Sequence, residues 1–177
     1  GTCGAPTPNP IEPIVGSGSL ILQSGEPHRR QRALVLPAFH GERVRRYTEV
    51  VAAVAAAEIE SLHPGDLLRT HRLSTRIALK SAIRLMTGIT DPQRQDRYAA
   101  AITVLMGANT APLMLVPWLR RTMGGRGPWA RLLRLRESLD RLLCEDIGPA
   151  EAATLDQLRT LLAAGHETSA AALTWAL

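Results

Sequence analysis

The sequence predicts a mainly α fold, and three observations carry that prediction. Apolar residues recur at helical spacing in several long segments, proline and glycine punctuate those segments where helices begin and end, and no alternating strand pattern or internal repeat stands out. With 177 residues, 45% hydrophobic and 21% charged, the chain can bury a sizeable core as one domain and is too apolar to remain disordered. Aromatics make up only 3%, so Leu, Val, Ile and Ala must build that core.

Residues 1–24 read as loop, because Pro6, Pro8, Pro10 and Pro13 exclude a regular helix and Gly16-Ser17-Gly18-Ser19 continues the irregular stretch. Pro27 fits the first turn of a short helix that stops before Pro37. The next helix is expected from about Gly41 to Leu62, with Val44, Tyr47, Val51, Val54 and Ile59 near helical spacing. Another runs from about Leu68 to Met86, turning Leu73, Ile77 and Ile83 inward and stopping at Gly88. Asp91-Pro92 starts a helix that leads towards Gly107. Gly124-Gly125 and Gly127 mark a break. From Trp129 to Ile147 the pattern is strongly amphipathic, with Leu132, Leu135, Leu139, Leu142 and Leu143 on one face and arginines on the other. Thr154 and Gln157 have the spacing of a capping box for the last helix.

The net charge is +5 and the sequence pI about 10.2; Lys80 is the only lysine, so arginine supplies the rest of the basic residues. That balance suits an acidic partner of any class, and equally a GC-rich coding sequence. Cys3 and Cys144 lie far apart with no metal spacing, which fits a reducing cytoplasm better than a disulfide framework. The start, Gly1-Thr2-Cys3-Gly4, has neither Met nor signal peptide and reads as a chain entered in mid-protein. Tyr98 to Leu119 is free of charge and long enough to cross a bilayer. Asn109, Thr110, Pro112 and Pro117 interrupt it, so a helix followed by an apolar loop is the expectation.

Two segments carry chemistry. On the last helix, Leu161, Ala164, Gly165, Thr168, Ala172 and Trp175 fall on one stripe whose middle is made of small residues, so a large flat group could approach the backbone there. Gly165 inside a helix costs about 1 kcal/mol relative to alanine, which asks for a packing or functional reason. Thr168 can bond its hydroxyl to the carbonyl one turn back. A zinc-protease reading of His166-Glu167 fails, since position 170 is alanine where a second histidine is needed. The other segment is Gly25-Glu26-Pro27-His28-Arg29-Arg30-Gln31-Arg32, followed by Leu36-Pro37-Ala38-Phe39. His28 and Arg32, four apart on one face close to a helix N-terminus, suit a carboxylate-bearing ligand. No GxSxG, Walker A or GxGxxG motif is present.

Ala164-Gly165-His166-Glu167-Thr168 resembles the oxygen-binding I helix of cytochrome P450s, and Gly25-x-x-His28-x-x-x-Arg32 with Pro37-Ala38-Phe39 resembles the family's C helix. The resemblance covers nearly the whole chain: 1–24 as the loop before the C helix, 25–37 as the C-helix segment, 41–88 as the D and E helices, 91–147 as the F/G region and 154–177 as the I helix. It implies a single partial domain with an incomplete P450 fold, lacking the N-terminal sheet region and the C-terminal half that ligates heme. It implies heme b as cofactor, O2 and a small organic substrate, and a ferredoxin or flavoprotein redox partner, with no nucleic acid and no membrane span. Thr168 would hydrogen-bond the dioxygen being activated and help deliver protons, and Glu167 would feed that relay. Ala164 and Gly165 would leave room over the porphyrin, and His28 and Arg32 would hold the propionates. Exposed Arg29 and Arg30 would face the redox partner. Neither cysteine sits in the Phe-x-x-Gly-x-x-x-Cys context of the family's iron ligand, so the expected chain is a truncated, cytoplasmic bacterial P450 without its thiolate. The short Gly148 to Thr154 connection reads as an internal deletion. Two alternatives remain open: a basic helix-turn-helix over Leu158 to Leu173 with Gly165 starting the turn, and a non-catalytic helical remnant.

Overall fold

The structure, a computed structural model, describes residues 9–65, 67–107, 111–121 and 123–176. Cys3, Pro6, Pro8, Asn109 and Thr110 lie outside the described residues. The elements are α1 (Glu12–Val15), α2 (Gly25–Val35), α3 (Glu42–Glu60), α4 (Thr70–Thr87), α5 (Pro92–Met106), α6 (Ala111–Leu115), α7 (Pro128–Ile147) and α8 (Ala152–Ala176), with short 3-10 turns between some of them. No strand occurs among the described residues. They gather into two compact units, one within Gly1–Ala33 and Ala100–Thr160, the other within Leu34–Ala99 and Leu161–Leu177.

In the first unit, the segment expected as loop contains α1, with Pro13 in the first turn where its missing N–H costs nothing, and a 3-10 turn at Leu20–Leu22. Ile14 and Val15 of α1 are buried. α7 contributes Leu132, Leu139 and Leu143, each 1% exposed or less, whereas Leu135 and Leu142 are only half-buried. Burying one leucine fully stabilises by about 1.5–3 kcal/mol, so this face anchors the unit. Arg120 donates to the carbonyls of Leu113 (3.1 Å) and Met114 (2.7 Å), satisfying the end of α6, and its guanidinium lies 5.7 Å from the Trp129 ring centre.

In the second unit, α3 and α4 pack along each other. α4 buries Leu73, Ile77 and Ile83 as its spacing predicts, and Gly88 ends it in the left-handed conformation (φ 75°), its N–H bonded to Arg84 O. α3 behaves differently from its pattern. Only Val54 and Glu58 are buried, while Val44, Val51 and Ile59 are 39–56% exposed. Glu58, buried and charged, is held by Arg76 (2.7 Å) and Lys80 (2.9 Å), and Lys80 also reaches Asp96 (3.2 Å). Burial alone pulls the Lys80 ammonium down, but Glu58 and then Asp96 outweigh it and raise its pKa above the usual 10.5. The charged form is thus favoured by folding, a contribution present below the ordinary lysine pKa and lost as pH rises through the raised value. At the start of α5 the Asp91 carboxylate accepts the Arg94 N–H (3.1 Å), the cap that Asp91-Pro92 predicts.

The capping box expected at Thr154 does not form. α8 already begins at Ala152, the Thr154 N–H donates to Glu151 O, and the Gln157 side chain is turned to the N-terminal segment instead. Of the charge-free stretch from Tyr98 to Leu119, 98–106 belong to α5, 111–115 to α6 and 117–119 to a 3-10 turn. No described helix is long and apolar enough to cross a membrane.

Candidate functional site

α8 is continuous through Gly165, which removes the helix-turn-helix reading: no turn starts there. Two faces of its second half differ sharply. Leu162, His166 and Ala170 are buried (1%, 7% and 1% exposed), and they form the inward side. The stripe singled out in the sequence is the open side. Ala164, Thr168 and Ala172 are exposed, Leu161 and Gly165 half-buried, and Trp175 stands 91% exposed. An added Cβ at Gly165 would meet nothing within 4 Å, so the glycine leaves free space over the helix rather than serving a close packing contact inside the chain.

Beside this face lies an apolar cleft of about 510 Å³, lined by Leu161, Ala164 and Gly165 of α8 and by Ile77, Ser81 and Leu85 of α4. The Ser81 hydroxyl is buried there with no hydrogen-bond partner among the described residues. Thr168 Oγ donates to Ala164 O at 2.8 Å, the back-bond its position allows. With its hydrogen committed to the helix, the hydroxyl presents lone pairs to the open side. Glu167 beside it is exposed. His166, which the sequence grouped with Glu167 as polar, belongs to the buried face. Its Nδ1 lies 2.8 Å from Leu162 O, and since a carbonyl only accepts, that nitrogen carries the proton.

His28 and Arg32 belong to the first unit, and Ala164, Gly165, Glu167 and Thr168 to the second. On α2, His28 is half-buried and Arg32 exposed, and neither is taken up by a hydrogen bond or ion pair among the described residues. Arg32 falls in the last turn of α2, so the helix N-terminus assists His28 alone. Arg29 is paired with Glu26 at 2.7 Å on the surface, whereas Arg30 has no partner among the described residues.

The most densely bonded group of the first unit escaped the sequence reading. Asp156 accepts from the Gly18 N–H (2.7 Å) and binds Arg159, whose side chain is 2% exposed. Arg159 also binds Asp140, and Arg136 lies 3.8 Å from Asp156 and donates to Pro13 O (3.1 Å). Burial, then the charge of Arg159, pushes the Arg136 pKa down, partly offset by Asp140, Asp156 and Glu12. An added Cβ at Gly16 would lie 2.0 Å from the Asp156 carboxylate and one at Gly18 2.8 Å from it. The Gly-Ser-Gly-Ser run, which reads as a simple turn, is a seat for this carboxylate. The only local signal was the pair of glycines flanking one serine.

No family model matches the chain. Curated relatives do. A Mycobacterium tuberculosis protein named "Putative cytochrome P450 135A1" is 26% identical over 192 residues, covering 93% of this chain. "Putative cytochrome P450 138" from Mycobacterium bovis is 29% identical over 92% of the chain, and "Putative cytochrome P450 135B1" from the same species 29% identical over 93%. The chain is related to the cytochrome P450s. It spans 40–43% of the length of these P450s. The chain offers an uncrowded glycine and a hydroxyl on α8 and, on α2, two nitrogen donors without a partner among the described residues. The α8 groups suit the approach of a flat group, and the α2 donors, taken separately, suit carboxylates. Cys144 lies half-buried on α7, and no group of three or more metal-ligating side chains occurs among the described residues.

Proposed function

We propose that these residues are the oxygen-side part of a heme-dependent P450 monooxygenase, a single partial domain running from the C helix to the I helix. The observation that carries the proposal is the open stripe of α8, with free space over Gly165 and the Thr168 hydroxyl bonded to Ala164 O beside it. Heme b, bound with a thiolate, would supply activation of O2 for insertion of one oxygen atom into a small organic substrate, with electrons from a ferredoxin or flavoprotein partner. His28 and Arg32 would bind the propionates through charge-assisted hydrogen bonds. Ala164 and Gly165 would admit the flat group to the helix backbone. Thr168 would accept a proton at Oγ and pass on the one it now shares with Ala164 O, and exposed Glu167 would resupply it from water. Arg30 would face the redox partner. We place the parent protein in the cytoplasm, since the two cysteines have no disulfide pattern. The thiolate must come from outside these 177 residues, so they do not turn over substrate alone.

Titration of the purified chain with hemin tests this reading. Saturable binding with a shifted Soret band is expected, weakened about a hundredfold or more when His28→Ala and Arg32→Ala are combined, because each lost charge-assisted bond is worth about 1.5–3 kcal/mol. The reduced CO complex is expected to lack the absorption characteristic of thiolate ligation. Failure of hemin to bind would sink the assignment, and a thiolate-type CO band would sink the claim that the ligand lies elsewhere.

A further inference from the structure

The first unit shows how α2 is held. Gln157, 7% exposed on the second turn of α8, uses both ends of its amide on the segment that leads into α2. Its Oε1 accepts the Leu20 N–H (3.0 Å) and its Nε2 donates to Gly18 O (2.7 Å), closing a two-bond bridge of the kind one strand makes to another. The same Nε2 lies 3.4 Å from Gln31 Oε1, on the residue next to Arg32. On either side of Gln157, Asp156 takes the Gly18 N–H and Thr160 Oγ meets the buried Ser19 Oγ at 2.6 Å. Three consecutive residues, Gly18, Ser19 and Leu20, are therefore clamped to one helix face five residues before α2 begins. The Gln23 side chain continues the restraint by donating to Ser17 O at 2.5 Å.

We propose that Gln157 is a positioning residue for the heme-propionate donors: by bridging Gly18, Leu20 and Gln31 it fixes where α2 carries His28 and Arg32. The inference rests on the reading of those two residues as propionate donors. Gln157 touches no heme atom in this scheme. Its effect on heme binding is through the placement of α2 alone. An amide is needed because the bridge demands one donor and one acceptor at fixed spacing in a buried place, where an unmatched backbone group is costly.

The test is hemin titration of Gln157→Leu and Gln157→Glu against the unaltered chain, at a temperature where all three are folded by circular dichroism, with hydrogen–deuterium exchange of the heme-free proteins. Gln157→Leu is expected to bind hemin about tenfold more weakly and to exchange faster over 25–33 with α7 unchanged. Gln157→Glu is the second variant. Ionised at about pH 8, it keeps the acceptor and loses the donor; protonated towards about pH 6, it regains both, since burial raises a carboxyl pKa. Its affinity relative to the unaltered chain is therefore expected to recover as pH falls. A purely structural role would lower melting temperatures while folded molecules bound hemin alike at every pH. Equal affinities in all three proteins, or unchanged exchange over 25–33, overturn the proposal while leaving the P450 reading intact. An unaltered chain that takes up no hemin overturns both.

Discussion

Gly16 has φ +92° and sits so close to Asp156 that no side chain fits between them. Gly16→Ala would strain the backbone and push the carboxylate away from Arg159, a guanidinium buried almost completely. Breaking such a buried pair costs about 3–5 kcal/mol, and that loss of unfolding free energy is expected in denaturant titration. A loss under about 1 kcal/mol, in the range of an ordinary surface change, would show that Asp156 can relocate. The sequence displayed polar residues at or near the surface of their helices: half-buried His28 and exposed Arg32, Glu167 and Thr168. It hid what Asp156, Gln157 and Arg159 do: Asp156 and Arg159 pair at i,i+3, but their other partners, and those of Gln157, lie 19 to more than 130 residues away, and no local spacing encodes such pairing.

Among the elements, α8 joins two demands that pull against each other. Its Gly165 weakens the helix, yet nothing in the chain occupies the space a methyl group would take. Gly165→Ala is therefore expected to stabilise the heme-free protein by about 1 kcal/mol, raising Tm by roughly 2–4 °C, while weakening hemin binding. A lower Tm on scanning calorimetry, or tighter hemin binding, would contradict the account of the open stripe. Helix existence was legible from periodicity and from the Pro and Gly positions at α2, α4, α5 and α7, whereas the short α1 and α6 fall where loop was expected. Two failures share a physical cause. Val44, Val51 and Ile59 of α3 have the right spacing but stay exposed, since periodicity names a face without naming what covers it. Thr154 and Gln157 have the right spacing for a cap, but tertiary bonds to Gly18 and Leu20 claimed the glutamine first.

At the scale of the whole molecule, the relatives agree with the family resemblance and set its reach: nearly all of this chain, under half the length of each relative. The mainly α class was readable because helices announce themselves locally. The grouping of residues into two units was not, since it depends on contacts between distant segments. One feature of the second unit makes the whole chain unusually simple to interrogate. Lys80 is the sole lysine, and its side chain is 15% exposed and bound to both Glu58 and Asp96. Amine-reactive reagents attack only the neutral amine, and the raised pKa keeps this one protonated above the usual 10.5. Acylation of Lys80, followed by peptide mass analysis, is expected to be slow in the native chain and to accelerate only when the Glu58 and Asp96 pairs open. A single side chain thus serves as a chemical clock for the parting of α3, α4 and α5.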